Sequence, residues 1–292
     1  MSWIKEGSLS WLQAACVKVV RSGQVPRHVA FIMDGNRRFA AKTNVLKVEG
    51  HSKGFDKLAE TLRWCLDLGV PEVTVYAFSI ENFKRSKDEV DGLMDLARQK
   101  FKKLLEEKDK LREHGVRICV IGNLSLVPAD LQELIREAME ATQTHNKAFL
   151  NVAFAYTAKE EMANVIGEVA GGVRDGGLLG QDVGTKLFDA CLYTRHLPQV
   201  DLLIRTSGEV RFSDFMLWQA SYSCIYFTDV LWPEFDIWSL LRAVLCYQMK
   251  YPALQRLRLK EEKSVLAAEE QQEARIENFL SALNSKRALS FL

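Results

Sequence analysis

The chain is 292 residues long, with 48% hydrophobic and 26% charged residues, the proportions of a globular protein with a sizeable core. Thirty-nine basic against 38 acidic residues leave a net charge of +1, which argues against a nucleic-acid binder, whose affinity rests on surplus Lys and Arg. No apolar run approaches the roughly 18–20 residues that span a bilayer, no signal-peptide pattern opens the chain, and the six cysteines lack CxxC spacing, so neither a zinc site nor a disulfide framework is indicated.

In chain order, a helical pattern first covers residues 3–20. Leu9, Leu12, Cys16, Val19 and Val20 share one face, with Trp3, Ile4 and Trp11 beside it. This reads either as a helix packed on its own domain or as one lying on a membrane surface. Short apolar runs of strand type follow at 28–33, 72–78, 116–121, 149–155 and 201–204, with a weaker sixth at 225–227. Between them come a helical pattern from near Gly54, an amphipathic run to about His114 opened by the capping-box pair Ser86 and Glu89, and a helix from Pro128 to near Thr144. Continuous apolar strands alternating with helices predict an α/β fold with a central, mostly parallel sheet flanked by helices. Residues 171–184 carry six glycines and read as a mobile loop, Trp218 to Phe235 as core and sheet edge, and the chain beyond Leu254 as a charge-rich helix with Leu280 and Leu283 near its end. The expected organisation is an amphipathic helical segment over 1–25, one α/β domain over 26–250 and a helical extension over 251–292.

Three stretches carry chemistry. In HVAFIMDGNRRF (28–39) an apolar strand runs into Asp34, Gly35, Asn36, Arg37 and Arg38. Ligands of open parallel sheets bind outside the carboxyl ends of strands, where a glycine, free amides and two guanidiniums suit a phosphate. A carboxylate among such groups is repulsive to an anion unless a bridging Mg²⁺ resolves it; the plain alternative is a strand-terminal turn with Asp34 as a helix cap. In YAFSIENFKR (76–85), Ser79, Asn82 and Arg85 follow another strand and converge on the same sheet edge or merely cap a loop. His51 precedes the helical pattern and is either a site residue or a satisfied structural histidine. In DLLIRTSGEVRFS (201–213), Arg205, Arg211 and Ser213 make a second anion site, with Gly208 allowing the turn between the arginines. Glu234 is a further candidate carboxylate.

Some absences also narrow the choice. The sequence has no GxxxxGK[ST], no GxGxxG after the first strand, no GxSxG, no HExxH and no DDxxD pair. Two anion sites, one with a metal-type carboxylate, on one α/β domain point to a transferase joining phosphorylated substrates.

Taken together, HVAFIMDGNRR, EGH, YAFSIENFKR, DLLIRTSGEVRFSDFMLWQ and YFTDVLWPEF closely resemble the cis-prenyltransferase family over about residues 26–240, and most nearly its eukaryotic catalytic subunits. The resemblance implies an α/β fold that encloses a hydrophobic tunnel, and head-to-tail cis-condensation of isopentenyl diphosphate onto farnesyl diphosphate. It assigns Asp34 as the catalytic aspartate holding Mg²⁺. Gly35, Asn36, Arg37, Arg38 and Arg85 fall at the allylic diphosphate, with Arg37 where bacterial relatives have Gly. His51, Ser79 and Asn82 lie near the reacting centre, and Arg205, Arg211 and Ser213 at the isopentenyl diphosphate. Lys47 replaces an expected Arg, and Cys224 stands where bacterial members carry a second metal-binding Glu, so metal coordination by this chain is expected to be less complete. The family's C-terminal Arg-x-Gly is missing, since this sequence ends SKRALSFL and has Arg-x-Gly only at Arg21 and Arg174. The resemblance therefore implies a heteromer, a dimer or dimer of dimers, with a membrane-anchored partner similar to the Nogo-B receptor supplying that motif. It further implies peripheral attachment at the cytoplasmic face of the endoplasmic reticulum. The reading from another class is a non-catalytic prenyl-lipid-binding or scaffold subunit of the same fold.

Overall fold

Strand β1 (His28–Ile32) is buried along its whole length, as an apolar run without polar alternation requires. The computed structural model describes residues 9–265 and 270–289, so Trp3 and Ile4 lie outside the described residues. Around β1 stand α1 (Trp11–Arg21), α2 (Asn36–Thr43), α3 (Lys47–Leu68), β2 (Glu72–Ser79), α4 (Lys87–Glu106), α5 (Lys108–His114), β3 (Val116–Ile121), α6 (Ala129–Thr142) and β4 (Ala148–Tyr156). The chain continues through α7 (Ala158–Arg174), α8 (Thr185–Cys191), β5 (Leu202–Arg205), β6 (Cys224–Phe227), α9 (Ile237–Val265) and α10 (Glu270–Leu289). One six-stranded sheet runs in the order β3-β4-β2-β1-β5-β6, and every pairing within it is parallel.

Alternation across the pleat sends Val29, Phe31, Val73, Val75, Leu150 and Val152 into one core layer and Ala30, Ile32, Ala153 and Leu203 into a second, under Phe215 and Met216. Burying such a side chain contributes roughly 1.5–3 kcal/mol. Trp232 and Phe235 pack against Phe31 at ring-centroid distances of 5.8 and 6.1 Å, which ties the segment after β6 back onto β1. α1 is split between the two readings of its face. Val17 and Val20 are buried, whereas Trp11 is 83% and Val19 73% exposed.

Four expectations are corrected. α3 begins at Lys47 rather than near Gly54, which places His51 inside a helix. Ser86 does stand at the N-cap of α4, but its side chain makes no capping bond: the Glu89 amide donates to the Ser86 carbonyl at 3.0 Å, and the Glu89 carboxylate is drawn to Arg85 rather than back to the Ser86 amide. The long run breaks at Glu107 into α4 and α5. Residues 171–184 are not a plain loop. α7 continues to Arg174, Leu178 is buried, and Asp182 accepts two hydrogen bonds from Arg275 of α10, at 2.9 and 2.8 Å.

Candidate active site

The strand order sets β2, β1 and β5 side by side, so the three chemically rich stretches, each following one of these strands, meet at one sheet edge. Their connections leave on opposite sides of β1, where open α/β sheets form a crevice. A cleft of about 730 Å³ lies there, and all twelve candidate residues line it: Asp34 to Arg38, His51, Ser79, Asn82, Arg85, Arg205, Arg211 and Ser213. Six cationic and four acidic side chains face it, a surplus that suits an anionic ligand.

Asp34 is held at the centre. Its Oδ2 accepts a hydrogen bond from Arg205 Nη2 at 3.0 Å, and its Oδ1 accepts one from the Gly35 amide at 2.7 Å. Its backbone is fixed as well, since the carbonyl accepts from Thr206 Oγ1 at 2.7 Å and from the Trp232 amide at 3.0 Å. Gly35 has φ of 106°, and a Cβ there would stand 3.0 Å from both Leu231 Cδ2 and Ser207 Cβ, so the turn into α2 requires glycine. No side chain caps α2, and its first-turn amides are left for an incoming anion. Arg205 is 2% exposed and also donates to Ser213 Oγ at 2.7 Å, which joins the first and third stretches through one guanidinium.

On the other wall, Ser79 and Asn82 lock each other's turn. The Ser79 amide donates to Asn82 Oδ1 at 2.8 Å, and Ser79 Oγ accepts from the Glu81 amide at 3.2 Å. Arg85 donates to Glu89 at 2.9 Å, and Arg37 and Lys47 approach the same carboxylate at 3.9 and 3.6 Å. Burial alone would raise the Glu89 carboxyl, but the charges of Arg85, Arg37 and Lys47 outweigh it and hold it below its usual value. Glu234 pairs with Lys42 at 2.6 Å and does not line the cleft. Cys224 is level with Leu202 and Val29, buried beside Cys246 and away from Asp34. A carboxylate at that position would stand near the opposite end of the strands from this chain's own Asp34.

His51 stands where the polar cleft opens into an apolar cavity of about 130 Å³. Its Nε2 is buried without a hydrogen-bond partner. Burial first, and then the charge of Arg85, push its pKa down to about 4. His28, at the far end of β1, is likewise at about 4 through burial. Both are therefore neutral at neutral pH. The unfolded chain takes up these protons near pH 6.5 and the folded one only near 4, so folding stability falls as pH drops through that window. For His28 alone the loss is about 3 kcal/mol. Melting temperature measured from pH 7 to 4 should decline over this interval, and a flat profile would contradict the assignment.

Sequence reasoning missed several residues of the cleft, notably Tyr76, Lys159, Glu209 and Asp214. Tyr76 opens the YAFSIENFKR stretch, but its stacking on Phe215 at 4.5 Å depends on tertiary structure. Glu209 lies between the two arginines of the third stretch, and that charge spacing was an available signal.

A parallel α/β sheet whose switch point carries a carboxylate among arginines, open below into an apolar cavity, defines a protein that handles an anionic head group with a hydrocarbon tail. Residues 32–253 match the family model described as putative undecaprenyl diphosphate synthase, and the chain belongs to this cis-prenyltransferase family. It is 60% identical over 258 residues to the human dehydrodolichyl diphosphate synthase complex subunit, covering 88% of this chain and 78% of that one. It is 44% identical over 231 residues to a Pyrococcus abyssi tritrans,polycis-undecaprenyl-diphosphate synthase described as geranylgeranyl-diphosphate specific, covering 79% and 87%. Among solved structures, lavandulyl diphosphate synthase from Lavandula x intermedia, in complex with dimethylallyl diphosphate, superposes with a TM-score of 0.72 at 33% identity, covering 77% of this chain and 95% of that one.

Proposed function

We propose that this chain is the catalytic subunit of a dehydrodolichyl diphosphate synthase, adding isopentenyl diphosphate repeatedly, with cis geometry, to farnesyl diphosphate. The carrying observation is the continuity of the polar cleft with the apolar cavity, since Met33, Asn36, His51, Ala77, Phe78 and Leu93 line both. A further cavity of about 440 Å³ lined by Leu62, Val73 and Leu150 lies one pleat farther along the same sheet face, since Val75 and Val152 line the first. A head group at Asp34 thus has an apolar path for its tail towards the opposite end of the sheet. Burying each five-carbon unit contributes up to about 4 kcal/mol.

In this reading Arg37, Arg38, Arg85 and the α2 amides hold the allylic diphosphate, while Arg205, Arg211 and Ser213 orient isopentenyl diphosphate. Asp34 suits Mg²⁺ as a single carboxylate beside diphosphate oxygens, because Mg²⁺ takes one or two carboxylates and fills its shell with phosphate and water. Among the described residues no cluster of three or more metal-ligating side chains exists, which favours this shared coordination over an all-protein cage. When bound, the metal neutralises charge that develops on the leaving diphosphate. The alkene of isopentenyl diphosphate attacks the allylic carbon, the carbon–oxygen bond breaks, and a proton leaves the new chain. His51 is neutral and stands at the junction of head and tail, so it and Asn82 are candidates to steer that proton.

Filling the path tests the reading. Ala97 lines the first cavity, and Ala97→Trp should leave the first condensation within about threefold of normal yet truncate the products, because overpacking costs on the order of 1–3 kcal/mol. Mass spectrometry of the lipid products decides it, and unchanged chain length would remove the tunnel assignment.

The human relative is named as a subunit of a complex, and we extend this to a heteromer with a Nogo-B receptor-like partner. Peripheral attachment to the endoplasmic reticulum membrane is supported by α1, where Trp11 and Val19 are exposed beside Lys18 and Arg21. Among the described residues no helix is long and apolar enough to cross a membrane. Trp11→Ser with Val19→Ser should weaken binding to lipid vesicles by about tenfold or more without lowering the melting temperature. Unchanged sedimentation with vesicles would refute the contact.

A further inference from the structure

Glu209 occupies an unusual place. It sits on the turn after β5, between Ser207 and Gly208, both at positive φ, and Arg211. Its Oε1 accepts from Arg38 Nη2 at 3.3 Å, and its Oε2 pairs with Arg211 Nη1. One carboxylate therefore holds two guanidiniums that the functional reading gives to different substrates, Arg38 to the allylic diphosphate and Arg211 to isopentenyl diphosphate. Both arginines are otherwise well exposed, at 50% and 62%, with Glu209 at 31%. Each oxygen of Glu209 stands where a phosphate oxygen would sit in a charge-assisted pair.

We propose that Glu209 is a place-holding carboxylate that couples the two diphosphate sites, so that binding of either substrate raises affinity for the other. The physical sequence is short. A diphosphate that takes Arg38 breaks one of the two bonds that fix Glu209, and its negative charge repels the carboxylate. Glu209, on an exposed turn with a glycine beside it, swings towards solvent and releases Arg211. The first substrate thus bears the cost of displacing the carboxylate, and the second meets a free guanidinium. By linkage the effect is reciprocal, and isopentenyl diphosphate raises affinity for the allylic substrate by the same factor. An ordered site results, in which an unpartnered isopentenyl diphosphate is held weakly until the chain to be extended is in place.

The proposal rests on the diphosphate reading of the cleft, and the test separates the two. Isopentenyl diphosphate is titrated calorimetrically, with Mg²⁺, into the full chain in its assembled complex, with and without saturating farnesyl thiodiphosphate, an unreactive allylic analogue. The wild type should bind isopentenyl diphosphate at least about fivefold more tightly when the analogue is present. Glu209→Gln should bind each ligand alone more tightly, and the cross-effect should shrink to about onefold. Glu209→Asp is one methylene shorter and reaches one arginine only. It should keep the competition at a single site yet lose the coupling, which guards against a fold defect in the first variant. Weaker binding of either ligand to Glu209→Gln, or a cross-effect equal to that of the wild type, would overturn the proposal while leaving the functional reading intact. A wild type that binds neither diphosphate would overturn both.

Discussion

Replacing Asp34 by alanine is expected to slow isopentenyl transfer by about a hundredfold or more, and to lower stability as well, because the buried Arg205 guanidinium loses its carboxylate partner. The side chain is 36% exposed, so no buried cavity is created, and the turn is kept by the Asp34 carbonyl, which accepts from Thr206 and Trp232. What is lost is the carboxylate that stands beside Arg205 and the α2 amides, where Mg²⁺ and the leaving diphosphate are assigned. Asp34→Asn should be nearly as slow, because the shape survives and the charge does not. Steady-state turnover at several Mg²⁺ concentrations measures this. Retained turnover with unaltered magnesium dependence would reject the role of Asp34.

The second large effect concerns the isopentenyl site, and the geometry divides it between two arginines. Arg205 is buried and touches both Asp34 and Ser213, so Arg205→Ala should damage binding and turnover together. Each charge-assisted hydrogen bond lost is worth about 1.5–3 kcal/mol, which corresponds to roughly ten- to a hundredfold in kcat/KM. Arg211 is mostly exposed and its side chain pairs with Glu209, so Arg211→Ala should mainly raise the KM for isopentenyl diphosphate, by about tenfold. A place in the second anion site accounts for the binding defect of Arg205→Ala, and the hydrogen bond to Asp34 adds the turnover defect. Kinetics with each substrate varied in turn distinguish the outcomes. A defect in Arg211→Ala confined to the farnesyl substrate would show that the two sites are exchanged.

Much of this molecule is legible in its residues because parallel strands buried on both faces leave a strong signal. The run at 28–33 and the run at 201–204 have no polar alternation, and both became central strands within a residue or two of the expected limits. The site was legible for a related reason. Its residues cluster just after strands, and a parallel sheet gathers all strand ends of one kind at one edge. What stayed hidden depended on tertiary partners. Ser86 and Glu89 have capping-box spacing, but three cations from other turns outbid the Ser86 amide for Glu89. The glycines at 171 and 172 read as a loop, yet Gly172 is helical because its bare Cα lets Phe279 approach, a Cβ there standing 2.5 Å from that ring. The position of Cys224 relative to Asp34 could not be read from alignment of motifs, since strand register alone places it on the level of Val29.

The central claim is that this chain carries the chemistry and that a partner completes its second diphosphate site. Transfer of labelled isopentenyl diphosphate onto farnesyl diphosphate, with Mg²⁺, by the purified chain with and without a Nogo-B receptor-like subunit tests it most directly. Long-chain polyprenyl diphosphate is expected to form strongly only with the partner, and its formation to be abolished by Asp34→Ala in this chain. No incorporation by the folded, associated pair, or incorporation indifferent to Asp34→Ala, would contradict it and make the chain a scaffold.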